Sequence, residues 1–485
     1  MTVPELDHEA IVRLNTEELG SASDGIPWVS AEGARRSEET RKGLLARLGR
    51  GVSYSFKGSK PHLGPLSPGC TLCGEGSWSC LFVNNLCNAS CFFCPAPQDD
   101  ADMPGTSTLT FSDPLEYAEY VERFGFRGVS ISGGEPLVHP ERTLSFIEAV
   151  RRRLGGDVYL WMYTNGKLLS RELASRLRDA GLDEIRFNIA ASGYDLEAVR
   201  TALKIIPTVT VEIPAVPEDL ETLEKISRTL SDLGVRHLNL HQIRCTRFNK
   251  DRLAKRGYTF LHGPLSAVLE SELAALSFLA YAQDTGLAIP VNYCSAIYRH
   301  RFQARASRRR WARYVAKPFE TVTEAGLIRT VHLEGEGRVL SSVQESLRAG
   351  GTDGRRWDVS NKGRRMSIDA DLLGLIHTDG LEVKVAYSLA TIRPTHSYLH
   401  PFTEITLSSG RTLVIERATC LGATALDAGE LRLFTESFPG GGAAAMEADL
   451  VYERAARISG DPSRVAAWKR IIQAESIRSG LLEYY

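Results

Sequence analysis

Apolar positions change their spacing twice along this chain. Over the first sixty residues they recur at helical intervals inside strongly charged stretches, so 9–19 and 38–48 read as two small amphipathic helices. Residues 51–68 are rich in Gly, Ser, Pro and Lys and read as a connecting loop. From Cys80 the pattern becomes an alternation. Short apolar runs at 80–84, 128–131, 158–163, 184–190, 208–216 and 237–243 read as buried strands. Between them, 114–124, 141–154, 170–180, 196–203 and 220–233 carry helical spacing, and Ser112-Asp113-Pro114 supplies a helix start with proline at the first helical position. Strands alternating with helices predict an α/β fold whose parallel strands are joined by helical crossovers.

Residues 266–285 predict a further helix, ended by Gly286, before an extended run at 289–294 and a basic run from Arg299 to Arg313. Beyond about residue 320 the pattern changes again. Runs at 331–333, 381–387, 402–407 and 413–416 alternate like antiparallel strands, punctuated by Gly335, Gly350, Gly354 and Gly410. Gly440-Gly441-Gly442 reads as a flexible joint, and 446–458 and 462–482 as helices. The expected organisation is a short helical N-terminal segment (1–64), an α/β domain with a cysteine-rich region (65–318) and a C-terminal α+β domain (319–485).

The length of 485 residues allows two or three domains. A net charge of −1 gives the whole chain no general pull toward nucleic acid or an anionic membrane. The longest apolar run, Val158 to Tyr163, is far short of the ~18 residues that cross a bilayer. The opening Met1-Thr2-Val3-Pro4-Glu5-Leu6-Asp7 lacks a basic region and an apolar core, so it is not a signal peptide and the chain reads as cytoplasmic. Six of the nine cysteines fall between Cys70 and Cys94, which points to metal rather than to disulfides.

Cys87, Cys91 and Cys94 stand at C-x3-C-x2-C spacing directly after the first apolar run. Thiolates are soft ligands for iron–sulfur clusters, and a [4Fe-4S] cluster normally takes four, so three clustered cysteines suggest a cluster with one iron left open. Zinc would usually close with a fourth nearby Cys or His. Buried structural cysteines are the plain alternative.

Ser132-Gly133-Gly134-Glu135-Pro136 follows the second run and Tyr163-Thr164-Asn165-Gly166 the third. Together with the cysteine motif, these resemble the radical S-adenosylmethionine (radical SAM) superfamily. Five further pieces are similar to a branch described as related to pyruvate formate-lyase activating enzyme. They are Pro68-Gly69-Cys70-Thr71-Leu72-Cys73, Asp183-Glu184-Ile185-Arg186-Phe187, Val211 to Pro217, Leu238-Asn239-Leu240 and Asn292-Tyr293-Cys294-Ser295. The resemblance covers roughly 65–315. It implies a (β/α)6 partial TIM barrel with its active site in the loops after the strands. It also implies a [4Fe-4S] cluster on Cys87, Cys91 and Cys94 whose open iron chelates S-adenosylmethionine. Phe93 would lie against the adenine, and Gly133, Gly134 and Glu135 would line the methionine amino group. Asn165 could touch cofactor or substrate, or be a simple turn residue. Asn188 and Ser192 would meet the ribose or carboxylate, and Val216 the adenine. Asn239 and Gln242 would lie on the substrate side, with His241 more readily a hydrogen-bonded structural histidine.

Cys70, Cys73 and Cys80 form a second group, C-x2-C-x6-C, to which Cys294 could add a ligand. It predicts an auxiliary iron–sulfur cluster or a zinc ion, against free thiols beside the first cluster. Cys245 and Cys420 are isolated and read as structural. In the basic run, Arg301 and Arg305 fall near one α-helical face and are candidates for a substrate phosphate or carboxylate, against a solvated face.

The expected function is a radical SAM enzyme that removes hydrogen from a small anionic or nucleotide-like metabolite in a biosynthetic pathway. It would be supplied by an electron donor such as flavodoxin or ferredoxin. No residue is singled out as catalytic. Radical sulfur insertion, a glycyl-radical activase, tRNA or peptide modification, and a non-catalytic metal scaffold are the alternatives.

Overall fold

A computed structural model describes residues 8–20, 25–98, 103–360, 362–439, 446–459 and 461–484. The opening heptapeptide and Gly440-Gly441-Gly442 lie outside the described residues. The chain divides into two compact units. One holds 8–304 with 407–411 and 479–484; the other holds Arg305–Thr406 and Thr412–Arg478.

The first unit is built on one open sheet. Its parallel strands are β1 (Trp78–Phe82), β2 (Gly128–Ser132), β3 (Tyr159–Thr164), β4 (Glu184–Phe187), β5 (Thr208–Pro214), β6 (His237–His241) and β7 (Val291–Cys294), adjacent in that order. Helices Pro114–Arg123, Pro140–Leu154, Arg171–Asp179, Glu197–Ala202, Leu220–Leu233 and Leu269–Asp284 connect them. This is the expected partial barrel. The run at 289–294, left outside the six-strand set by the sequence reading, enters the sheet as the seventh parallel strand. Side chains such as Leu81, Ile131, Leu160, Met162, Ile185, Val211 and Leu238 are fully buried, as strands covered on both faces require. Asp113 caps the first crossover helix by accepting from Leu115 N at 2.8 Å, with Pro114 following it.

Two departures matter for the site. Residues 51–68 contain the hairpin strands Ser53–Ser55 and Lys60–Leu63, and the second pairs antiparallel with β7. Phe56 and Lys57, both at positive φ, make the turn. The N-terminal residues are therefore part of the barrel unit rather than a separate segment, and the helices there run His8–Leu19 and Ala31–Leu48. The boundary with the second unit falls at 304/305 rather than at 318/319.

The second unit centres on a sheet in the order Trp357–Ser360, Arg365–Ile368, Ile328–Gly335, Leu381–Arg393, Thr412–Leu426, Phe402–Thr406, with Thr321–Val322 paired to Ile328–Gly335; every pairing is antiparallel. Helices Gly337–Ala349, Ala428–Ser437, Ala448–Ser459 and Pro462–Glu475 accompany it, and Leu333, Met366, Phe434 and Ile471 lie in its core. Among the described residues no helix is long and apolar enough to cross a membrane.

Candidate active site

Cys87, Cys91 and Cys94 lie in the loop that leaves β1, outside any helix or strand. The segment after β6 fastens that loop by its carbonyls. Thr246 Oγ1 donates to Pro95 O (2.8 Å), Asn249 Nδ2 to Phe93 O (3.0 Å), and Arg252 Nη1 to Cys91 O (2.9 Å). Cys94 N donates to Cys91 O at 3.2 Å. All three thiols are half-buried and line one cavity. Burial, and then the neighbouring thiols, raise Cys91; burial also raises Cys87, with Glu135 and Cys94 adding to it.

The turn after β2 locks onto the start of the same loop. Gly134 N donates to Asn84 O (3.0 Å), Glu135 N to Leu86 O (2.7 Å), and Asn84 Nδ2 to Glu135 O (3.1 Å). Gly133 sits at φ +137°, and a β-carbon on Gly134 would come within 2.1 Å of Leu86 O. Neither position accepts a side chain without moving the cysteine loop. Glu135 is 1% exposed. Its carboxylate accepts from Leu137 N (3.1 Å), Thr164 Oγ1 (2.8 Å) and Asn165 N (2.7 Å), tying β2 to the end of β3. Burial raises its pKa against those three bonds. Asn165 then reaches back with Nδ2 to Asn88 Oδ1 (2.7 Å) and toward Cys87 Sγ (3.9 Å).

Phe93, Gly133, Gly134, Glu135, Asn165 and Asn188 therefore line the cavity with the three cysteines. Asn188 Oδ1 is buried and has no hydrogen-bond partner. The other expected residues are placed differently. Ser192 Oγ donates to Ile189 O at 3.1 Å in its own turn. Val216 packs in an apolar cluster with Phe93 and Ile243, while Pro214 is the cavity-lining residue of that segment. Gln242 bridges Val268 O (3.2 Å) and Ala296 N (3.0 Å). Arg301 donates to Gly480 O at 2.7 Å. Arg305 belongs to the second unit, where burial and then Arg309 depress its pKa.

The cavity is also lined by residues that the sequence reading did not select as site residues: Tyr163, Arg186, Glu212, Arg244 and Arg299, with His241, which it held to be structural. Arg186 is buried inside a set of partners. It donates through Nε to Glu184 (2.9 Å), and through Nη1 to Glu212 (2.7 Å) and Cys70 Sγ (3.7 Å). Burial would push the Glu212 carboxyl up, but Arg186 and the Asn239 amide outweigh it and hold it below the usual range. Burial and then Arg299 lower His241 to about 4, so its imidazole is neutral at pH 7. Arg299 Nη2 donates to Gln242 O at 2.9 Å, and its Nε is buried without a partner. The sequence signals for these residues were the family-like stretches that hold Tyr163, Arg186 and Glu212, the basic run that opens at Arg299, and an Arg and a Glu inside apolar strand runs, where burial demands a paired charge.

Asn239 turns away from the expected role. Its Nδ2 donates to Glu212 (3.0 Å) and Cys70 Sγ (3.5 Å), so it faces the second cysteine group. That group contains Cys70, Cys73 and Cys294. Cys80 lies elsewhere, with Ser130 and Ser132 of β2 as its hydrogen-bonding neighbours. Cys80 shares its face of the sheet with Ser130 and Trp161, the face on which the helix bearing Cys70 and Cys73 packs, but its thiol is met by the serines of β2 rather than by the other three cysteines.

Comparison with known proteins gives three results. Residues 81–230 match the model of the Radical SAM superfamily. A Methanocaldococcus jannaschii protein, provisionally named a glycyl-radical enzyme activating enzyme, is 28% identical over 275 residues, 54% of this chain and 72% of that one. A GTP 3′,8-cyclase of Rhodopirellula baltica is 36% identical over 118 residues, 24% of this chain and 31% of the cyclase. Among solved structures, methylornithine synthase aligns with a TM-score of 0.31 at 14% identity, over 56% of this chain and 80% of that one. The cysteine loop and the Gly-Gly-Glu turn both fall within the matched stretch, so residues 81–230 are a radical SAM domain and the chain is an enzyme.

Proposed function

We propose that this chain cleaves S-adenosylmethionine reductively and removes a hydrogen atom from a small anionic substrate. The observation that carries the reading is one cavity lined by two unlike sets of residues: three thiols, and Arg186, Glu212, neutral His241 and Arg299. The residues fit the groups the domain implies. Three soft donors, odd in number, suit a [4Fe-4S] cluster on Cys87, Cys91 and Cys94 with one iron open. The unpartnered acceptor of Asn188 suits a ligand's hydroxyl or ammonium group. When bound, the cluster supplies one electron to the sulfonium and so yields a 5′-deoxyadenosyl radical.

The protein's own residues do the rest. Glu135 and the glycines hold the loop against β2, and Phe93 presents an aromatic wall. Arg299 offers a guanidinium with an unused donor to a carboxylate or phosphate. His241, being neutral, adds no charge to repel a cationic neighbour and no obligatory counter-ion. GTP, the substrate in the cyclases' name, is itself an anion, which supports the same substrate class. The name of the M. jannaschii relative supports a second reading, in which a glycine of a partner protein is the hydrogen source. The proposal also includes a second metal group beside the cavity, at Cys70, Cys73 and Cys294.

The test is anaerobic. Reconstituted protein, dithionite and S-adenosylmethionine are incubated and 5′-deoxyadenosine is measured by chromatography. Turnover in the wild type and none after replacing Cys87, Cys91 and Cys94 by Ala is expected; product from the triple variant would sink the proposal. Stimulation by anionic metabolites, and not by glycine-bearing peptides, separates the two substrate readings.

A further inference from the structure

We propose that Cys70, Cys73 and Cys294, without Cys80, hold a second [4Fe-4S] cluster, and that buried Lys60 is the cation that balances its charge. The site lies beside the cavity, with Arg186 shared between them, and does not depend on the substrate reading.

Placement comes first. Cys70 and Cys73 are one turn apart on the helix Pro68–Glu75, so they project to one side. Cys294 is the last residue of β7, opposite His241 of β6. The gap between the helix and these strands is bridged from both sides. Asn239 on β6 donates to Cys70 Sγ (3.5 Å), Tyr298 OH to Cys70 O (3.4 Å), and Gln303 Nε2 to Cys73 Sγ (2.7 Å). Cys70 and Cys294 are the thiol neighbours of Cys73.

Charge is the second argument. Lys60 is 1% exposed, and its Nζ lies 4.2 Å from the centre of the Tyr298 ring. The groups around it that can be negative are Cys294, Cys70, Cys73 and Glu212. Glu212 is already paired with Arg186 at 2.7 Å. With three neutral thiols, Lys60 would be a buried ammonium with little to oppose it, which is costly. Ligation turns the thiols into thiolates, and a cluster with three of them carries net negative charge. The lysine then becomes its counter-ion.

The number of cysteines favours a cluster over a closed zinc ion, which draws four protein ligands around one point where three cysteines stand here. Donors lie beside the thiols: the Asn239 amide and the Arg186 guanidinium on Cys70, and the Gln303 amide on Cys73. Donors beside sulfur suit the negative charge that a thiolate-bound cluster carries.

The full chain is reconstituted anaerobically with iron and sulfide, and iron, sulfide and zinc are counted. About eight irons per chain are expected, two [4Fe-4S] units. Replacing Cys87, Cys91 and Cys94 by Ala should leave about four with a [4Fe-4S] Mössbauer signature, and Cys80→Ser should leave all eight. One zinc with four irons in the wild type overturns the proposal. So do eight irons retained after Cys70, Cys73 and Cys294 are replaced by Ser. Lys60→Met, made in the chain lacking the first cluster, should move the remaining cluster's midpoint potential to a more negative value, because a cation favours the reduced form. An unmoved potential overturns the role of Lys60. Failure of these outcomes leaves 5′-deoxyadenosine formation intact, so it is distinguishable from failure of the proposed reaction.

Discussion

Two sets of three cysteines occupy one unit of the chain and are held by different means. Cys87, Cys91 and Cys94 ride on an irregular loop whose carbonyls are pinned by Thr246, Asn249 and Arg252. Cys70, Cys73 and Cys294 stand on a helix and a strand end, and their sulfurs are met by Asn239, Arg186 and Gln303. The first arrangement fixes the main chain and turns the thiols to the cavity, with Asn165 Nδ2 near Cys87 Sγ and Ala96 O near Cys94 Sγ, both at 3.9 Å. The second surrounds sulfur with donors and with a buried ammonium. The proposed reaction centre keeps an accessible face, while the proposed second cluster has donors placed against its charge. Arg186 belongs to both, since it lines the cavity and reaches Cys70 Sγ.

The largest effect should come from breaking one set and not the other. Cys91→Ala is expected to reduce 5′-deoxyadenosine formation to the rate of dithionite without enzyme, whereas Cys70→Ala keeps a measurable rate in the same assay. Equal loss in both would erase the functional distinction between the sets. Next is the shared residue. Arg186→Met leaves Glu184 and Glu212 buried without their cation, and should lower unfolding free energy by about 3–5 kcal/mol in urea denaturation. A loss below ~1 kcal/mol would mean the carboxyls simply protonate.

Arg299→Ala sharpens the contrast among the proposed substrate residues. Losing a charge-assisted hydrogen bond of about 1.5–3 kcal/mol should raise KM for the anionic substrate roughly 10- to 100-fold. Uncoupled S-adenosylmethionine cleavage should stay within about twofold. An unchanged KM would remove Arg299 from that set. The smallest effect is expected for Arg252→Ala, which removes a carbonyl clasp worth about 1 kcal/mol. Cluster loading, followed by absorbance near 400 nm, should then slow for the set at 87–94 and not for the set on Cys70, Cys73 and Cys294.

The barrel was legible because its signal is repetitive. Each buried strand needs an apolar run, and each crossover an amphipathic helix, so 80–243 was readable element by element. The hairpin at Ser53–Ser55 and Lys60–Leu63 was not, since Ser, Lys, Pro and His in so short a segment look like loop, and only pairing with β7 makes them strand. Lys60 was lost with it, because a buried lysine has no local pattern. The helix Gly337–Ala349 and the strands Trp357–Ser360 and Arg365–Ile368 were missed for similar reasons, in a stretch dense with Arg and Gly.

In the site, motif residues such as Glu135 and Asn165 were found through the family pattern. The arginines were misjudged for a geometric reason. Counting faces from Arg301 to Arg305 assumes 3.6 residues per turn, but Arg299–Ala304 is a π-helical turn. The wider turn shifts the register, so that Arg299 faces the cavity while Arg301 faces Gly480. Cys80 is set apart by its partners, since its thiol meets Ser130 and Ser132, and spacing in sequence does not reveal such cross-strand neighbours.

The clasp on the cysteine loop bears on which residues govern the thiols. Thr246, Asn249 and Arg252 bond the carbonyls of Pro95, Phe93 and Cys91, so the loop's path is set by side chains that never touch sulfur. Ordering a residue costs about 1–2 kcal/mol of backbone entropy, and here folding of the barrel has already met that cost. The path of the cysteine loop is thus written into the barrel and the segment after β6, so a change at Thr246, Asn249 or Arg252 reaches the thiols without altering any of them.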